Sequence, residues 1–340
     1  MQGPVEITDN KKNRTVTISV PHYEYRGFVK SGVSFETFYS AQLLKDILEL
    51  KGPGFFKDEI DRGEEPAYVA NPAVSQLRRF AGNVTGRMLD FGCGCGASAI
   101  NLARAFREIK VTGIDIDGRA VQIAVKRSQE CGVGGRTEFL RVENASGLPF
   151  AGGSFENIMC SAVIEHLNPA EREQDLRELW RVLKPGGMLF INGTPNRLWP
   201  KDGHTSNLWL VPYMPAGLAC AVARRFSKKV RGRTDEELIK MGIVGETYWA
   251  VLRMVGGRAA GAGVTELNRH NGFAVNDYFN DLLVKYDRDF SKKTIIRMIR
   301  DIYRIKSYFL KPLNLPVCAF FPYLAMCLQK KGIKGTDPFI

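Results

Sequence analysis

The chain has no run of about 18 or more uncharged apolar residues free of proline, so no segment reads as a spanning helix. Its first fourteen residues are polar and carry Asp9, Lys11, Lys12 and Arg14. They lack the apolar stretch of a secretory signal, and a cytoplasmic protein is expected. The seven cysteines form no paired CxxC motif, which argues against a zinc ribbon, and their odd number argues against a disulfide framework. Four of them lie in apolar stretches and read as buried thiols. No metal-ligand pattern stands out, and there is no internal repeat or low-complexity tract. With 44% hydrophobic and 25% charged residues, the composition excludes a disordered or collagen-like chain.

Three hundred and forty residues allow one enlarged domain or two. Residues 1–82 read as a mixed lead-in, with a short strand over 15–20 and helices over 35–50 and 71–80. Lys51-Gly52-Pro53-Gly54 is expected to stop the first of these helices. From residue 83 short apolar runs alternate with helical stretches. Strands are expected at 87–91, 110–116, 138–142, 155–161 and 188–193, and helices at 97–106, 118–130 and 171–183. That rhythm means βαβ units and a parallel sheet. After Thr194 it breaks. A substrate-side insertion is expected over 196–265, then C-terminal strands at 272–276 and 323–329 with a basic helix over 292–310 between them.

The net charge is +12 and unevenly placed. Residues 224–233 hold six basic side chains and no acid, and residues 288–306 hold seven against Asp289 and Asp301. These two segments therefore account for +11, leaving the rest nearly neutral. Each adjoins apolar sequence: Trp209 and Tyr213 lie before the first, and Ile295, Met298, Ile302 and Ile305 are interleaved with the second. A basic helix with an apolar face suits an anionic membrane surface, although a core helix with a solvated basic face gives the same pattern.

The strongest local signal is Asp90-Phe91-Gly92-Cys93-Gly94-Cys95-Gly96 at a strand end, opening a helix. Glycines there let the backbone turn sharply and approach a ligand. An acid ahead of the first glycine suits a ligand bearing an ammonium or sulfonium, not a pyrophosphate. Asp115 ends the next strand nineteen residues after Gly96, near the spacing of a carboxylate that grips ribose hydroxyls. Leu148-Pro149-Phe150, Ile164-Glu165-His166-Leu167 and Lys184-Pro185-Gly186-Gly187 follow in order.

This series, over about residues 80–195, resembles the class I S-adenosylmethionine-dependent methyltransferases, especially the quinone-biosynthesis branch. The resemblance implies a Rossmann-like, doubly wound seven-stranded sheet with an N-terminal helical cap and insertions after strand 5 and between strands 6 and 7. It implies S-adenosyl-L-methionine as cofactor. Asp90 would lie near the methionine part, with Gly92, Cys93, Gly94 and Gly96 shaping the loop beneath it. Asp115 would hold the ribose, Ile116 would lie against the adenine, Asn144 and Ala145 would meet the adenine edge, and Ser161 would sit near the methionine. Asn144 and Glu156 stand where the family usually has aspartate.

Methyl transfer needs alignment more than acid–base power, but a hydroxyl acceptor usually needs a base nearby. His166 is the best-placed base, with Glu165 as its neighbour or orienter, and His204 lies in a loop expected to face the pocket. His22 and His270 read as peripheral. The fourth strand ends Cys160-Ser161-Ala162-Val163 and not in the Asn/Asp-Pro-Pro-Tyr/Phe of amino-group methyltransferases. No Pro-Cys of cytosine-C5 enzymes is present. The expected acceptor is a small or lipid-like molecule, methylated at oxygen or carbon, with an anionic membrane surface as a further partner. An RNA or protein methyltransferase using the basic insertions, and a non-catalytic cofactor-binding protein, are the alternatives. Nucleic acid is the weaker partner.

Overall fold

The computed structural model describes residues 5–10, 13–18, 23–25, 28–30, 33–64, 74–82, 84–256, 263–268, 275, 278–279, 283 and 290–332. Its centre is a seven-stranded sheet of β6 (Gly86–Phe91), β7 (Ile109–Asp115), β8 (Thr137–Arg141), β9 (Phe155–Ser161), β10 (Leu183–Pro195), β11 (Val264–Glu266) and β12 (Tyr323–Lys330). The spatial order is β8-β7-β6-β9-β10-β12-β11. The first five strands in that order pair in parallel, and β12 runs antiparallel to both β10 and β11.

Parallel strands must be covered on both faces, and their sequences show it. Leu89, Ile158, Cys160, Leu189, Ile191, Met326 and Leu328 face one core. Their neighbours Met88, Met159, Phe190 and Cys327 face the other. The first core is closed by α5 (Arg172–Val182) and α8 (Tyr248–Gly256), the second by α3 (Ala97–Ala105) and α4 (Gly118–Glu130). All seven cysteines are free, six buried and Cys131 half-buried.

The lead-in differs from its sequence reading. Residues 35–37, expected to open a helix, instead end β5 (Val33–Thr37), which joins β1 (Val5–Asn10) and β2 (Asn13–Ile18) in an antiparallel sheet. The short β3 (Tyr23–Tyr25) and β4 (Phe28–Lys30) pair separately. The cap is thus part sheet and part helix. Gly52-Pro53 does not end α1 (Ala41–Glu64): the chain kinks where Gly52 takes a left-handed φ of 68° and the helix resumes. Proline at the start of the resumed segment costs no hydrogen bond that a helix start would have made. The helix expected over 71–80 is α2 over 74–80, and its first residues lie outside the described ones.

The insertion after β10 has a small core of its own. Val211, Ala219, Cys220, Ala223, Val230, Leu238 and Ile243 pack together, drawn from α6 (Ala216–Phe226), α7 (Asp235–Lys240) and their connections. The strand expected over 272–276 falls mostly outside the described residues, and Val275 itself is helical. The edge strand is β11 instead. It has three residues, too few to show an alternating pattern. The basic helix is α9 (Phe290–Leu310), between β11 and β12.

Candidate active site

Chain order along the sheet reverses between β6 and β9, so the crevice beyond their carboxyl ends is where an open α/β sheet takes its ligand. Three sets of predicted residues meet there. The glycine turn follows β6, Asp115 ends β7, and Ser161 ends β9.

The turn needs its glycines individually. Gly92, Gly94 and Gly96 have φ of 73°, 51° and 80°, a region L side chains avoid. A Cβ on Gly92 would lie 2.5 Å from Val163 Cγ2, and one on Gly96 would lie 2.8 Å from Ala124 Cβ. Gly94 has open space around it, so only its conformation demands glycine. The Gly92 and Cys93 amides donate to the Ile114 carbonyl at 2.9 and 3.0 Å, tying the turn to the end of β7. The Cys93 side chain itself is buried.

The two acids have different surroundings. Asp90 is 2% exposed. Burial pushes its carboxyl up to about 7, opposed by the Ala99 amide and reinforced by the charge of Asp115. Its Oδ2 has no hydrogen-bond partner among the described residues. A buried carboxylate with an unfilled oxygen is a site for a cation or a donor. Asp115 instead accepts the Gly94 amide at 2.8 Å through Oδ2 and the Asp117 amide at 2.9 Å through Oδ1. Each oxygen keeps a further lone pair for a sugar hydroxyl. The next residue, Ile116, is 64% exposed, an apolar platform beside that carboxylate. Asn144 is exposed and accepts from Ser146 Oγ at 3.3 Å, and Ala145 is buried behind it. Ser161 is half-buried. After it, Ala162 turns the chain with an unusual left-handed φ of 55°, its amide donating to the Asn192 carbonyl at 2.7 Å.

That turn leads to the second constellation. Glu165, His166 and His204 offer ligand atoms that all lie within 4.8 Å of one another. The imidazole centres are 5.7 Å apart. Glu165 is fully buried, and desolvation raises its pKa, opposed chiefly by the neighbouring His166. It does not orient His166 through a hydrogen bond, as expected from the sequence: the closest approach is Oε1 to Nε2 at 3.9 Å. The Glu165 partner is Thr194 at the end of β10, whose hydroxyl donates to Oε2 at 2.8 Å. The orienter of His166 is the Lys240 carbonyl, 2.6 Å from Nδ1. Nδ1 therefore donates there, and Nε2 is the ring nitrogen turned toward Glu165.

His204 is held by its loop. Asp202 accepts the amides of His204, Thr205 and Ser206 and the Ser206 hydroxyl, and Lys229 donates to the His204 carbonyl at 2.8 Å. Burial lowers the His204 pKa to about 4, with His166 adding to the effect, so the ring is neutral near pH 7. A cleft beside His204 is lined by Trp199, Pro212 and Tyr323 on its apolar side and by Arg197, Lys201 and Asp202 on its polar side. His22 and His270 lie outside the described residues. Sequence reading missed Thr194, the Lys240 carbonyl and Gly242, whose Cβ would lie 2.9 Å from Glu165 Cγ.

Residues 88–187 match a family described as a methyltransferase domain. An O-methyltransferase of Aspergillus nomiae is 34% identical over 137 residues, which is 38% of this chain and 58% of that protein. The ubiquinone/menaquinone biosynthesis C-methyltransferase of Geotalea daltonii is 36% identical over 107 residues, 31% of this chain and 44% of that protein. The phthiotriol/phenolphthiotriol dimycocerosates methyltransferase of Mycobacterium leprae is 30% identical over 194 residues, 55% of this chain and 66% of that protein. The chain spans about half the length of the first two relatives. The matched segment holds β6 to β10, the glycine turn and both acids. Residues 88–187 are thus a methyltransferase domain, the S-adenosylmethionine-dependent core of this chain.

Proposed function

We propose that this protein methylates an oxygen or carbon of a small or lipid-like acceptor. The observation that carries the reading is the Glu165–His166–His204 cluster, set at the ends of β9 and β10 beside the glycine turn. S-adenosylmethionine, when bound, supplies an electrophilic methyl group on a sulfonium. The unfilled oxygen of Asp90 and the open space at Gly94 fit its cationic methionine part. Asp115 would hold the ribose through its remaining lone pairs, and Ile116 would support the adenine, with Asn144 and Ala145 at its edge. Ser161 lies on the methionine side. His166 Nε2 draws off the acceptor proton, and the loop held by Asp202 keeps His204 beside it.

The cleft beyond His204 sets Trp199, Tyr323 and proline walls beside Arg197, Lys201 and Asp202, which suits an acceptor with both an apolar body and a polar group. A dimycocerosate methyltransferase and a quinone-biosynthesis methyltransferase among the relatives support the same class. The exposed apolar face of α9, flanked by arginines, supports approach from an anionic membrane surface.

The decisive experiment incubates the protein with methyl-labelled cofactor and separate lipid, RNA and protein fractions of a cell extract. Label is expected in the lipid or small-molecule fraction. Label confined to RNA or protein overturns the acceptor class, and slow cofactor turnover with no labelled product in any fraction leaves a binding protein. The catalytic assignment has its own check. His166→Gln should cut turnover by roughly 10²-fold or more at unchanged cofactor affinity.

A further inference from the structure

The three side chains that gather around the acceptor end carry more than a base needs. One buried carboxylate and two imidazoles, from two separated parts of the chain, place their ligand atoms within 4.8 Å of one another. Tetrahedral zinc sites have Zn–N and Zn–O bonds of about 2.0–2.2 Å, which puts ligand atoms about 3.3 Å apart. The remaining distance is within reach of side-chain rotation.

Three independent features of the cluster match what a metal site requires. Glu165 Oε1 is buried and has no hydrogen-bond partner among the described residues, while Oε2 is held by Thr194. One carboxylate oxygen is thus fixed and the other left without a hydrogen bond, with chiefly the His166 ring, 3.9 Å away, to offset its burial. Metal-bound histidines almost always donate their second ring nitrogen to a carbonyl or carboxylate. His166 does so through Nδ1 to the Lys240 carbonyl at 2.6 Å. The same turn at the end of α7 fastens the His204 loop, where the Met241 carbonyl accepts from Thr205 Oγ1 at 2.9 Å. Gly242, with φ of 85°, lets that turn close over the cluster, because a Cβ there would meet Glu165 Cγ at 2.9 Å and His204 Cδ2 at 3.2 Å. The loop bearing His204 is also held in place before any ligand arrives, by the four hydrogen bonds to Asp202.

We infer that Glu165, His166 and His204 bind one divalent transition metal of the zinc type, with a coordination position left open toward the cleft. The donor set decides the class. Two imidazoles and one carboxylate suit zinc, cobalt or iron, whereas magnesium and calcium prefer oxygen cages. Held by these three side chains, such an ion would supply Lewis acidity at the acceptor end, the role otherwise given to His166 Nε2. Metal binding itself does not depend on the acceptor or on the transfer reading.

The test uses the full chain without a polyhistidine tag, stripped with EDTA and titrated with Co²⁺ near neutral pH. One equivalent of Co²⁺ should give a visible d–d absorption that Zn²⁺ bleaches and Mg²⁺ does not. Outer-shell changes alone cost metal sites about 10–100-fold in affinity, so His204→Gln should lose at least that much. His166, whose side chain is 43% exposed, supplies a second variant with little effect on packing: His166→Asn should weaken Co²⁺ binding in the same way. Circular dichroism verifies that each variant folds. The inference is overturned if no stoichiometric band forms, if both folded variants bind Co²⁺ as the wild type does, or if the spectrum shows thiolate charge transfer from cysteine. Labelled product from EDTA-stripped protein that binds no Co²⁺ defeats the metal and leaves the methyl-transfer reading standing. Stoichiometric Co²⁺ binding without any labelled product does the reverse.

Discussion

Asp90 carries the clearest consequence at the scale of a residue. Its carboxyl ordinarily titrates near 3.8, and burial moves it to about 7 in the folded chain. The native state then holds the proton more tightly than the unfolded chain does. Stability is therefore lost as pH rises from about 4 to about 7 and is flat above, as linkage requires for a raised acid. Asp90→Asn should remove that slope and stabilise the ligand-free protein at about pH 8, by an amount on the order of 3 kcal/mol at most. Urea unfolding of both proteins at about pH 5 and about pH 8 reads the difference. Parallel behaviour at both values would show that Asp90 does not ionise in this range. A cation beside Asp90 favours the charged form, so S-adenosylmethionine binding below about pH 7 should release a proton. Calorimetry in two buffers of different ionisation enthalpy detects that release, and its absence would remove Asp90 from the cofactor site. The same variant should bind cofactor more weakly. Asp90, the glycines and Asp115 were legible in the sequence because their spacing is local. The Thr194 contact to Glu165 was not, since the two lie 29 positions apart and meet only when β9 and β10 pair.

At the scale of elements, α9 resolves an ambiguity in the sequence. Its pattern fitted a core-packing helix or a surface-binding one, and the structure gives it one buried edge and one exposed apolar face. Ile296 and Tyr303 are buried against the main core. Ile295, Met298, Ile302, Ile305 and Phe309 recur every three or four positions and stand 55–67% exposed. Arg297, Arg300, Arg304 and Lys306 lie between them. Each basic residue near an anionic surface contributes on the order of 1 kcal/mol, less at high salt. Co-sedimentation with vesicles should therefore rise with anionic lipid and fall with salt. Ile302→Glu with Ile305→Glu should abolish it without altering the fold, since both side chains face solvent. A protein that ignores anionic vesicles at low salt yet binds RNA tightly would overturn the membrane assignment. Element boundaries were hardest to read where backbone geometry overrides propensity. Gly52-Pro53 looks like a helix end, yet a single left-handed residue lets α1 bend and continue.

The whole molecule is a methyltransferase core with two additions, and the additions differ in how they attach. The insertion between β10 and α8 packs around its own small core, whereas α1 is fastened by a buried charge. Arg127 on α4 is fully buried. It donates to Glu59 Oε1 at 2.7 Å, to Tyr39 Oη at 2.9 Å and to the Cys95 carbonyl at 3.3 Å. One guanidinium thereby joins α1, the chain leading into it and the glycine turn. The alternating core was legible because its periodicity is local. This junction was not, because no spacing links residues 39, 59, 95 and 127. Without Arg127 the buried Glu59 carboxylate keeps, among the described residues, only the partly exposed Lys51, 3.8 Å away, so the loss should reach at most about 3–5 kcal/mol. Arg127→Leu should therefore loosen the N-terminal unit more than the core. The four tryptophans, Trp180, Trp199, Trp209 and Trp249, all lie outside residues 1–82, so their fluorescence reports the core and insertion while circular dichroism reports the whole chain. In the variant the circular-dichroism transition should begin at lower denaturant than the fluorescence transition. Cofactor affinity should fall as well, since the Cys95 carbonyl loses its donor. A compensating Glu59→Met, which removes the stranded carboxylate, should recover much of the lost stability, because a buried pair replaced by apolar side chains is often neutral. Coincident transitions at the wild-type midpoint in Arg127→Leu would show that the guanidinium does not couple the two units.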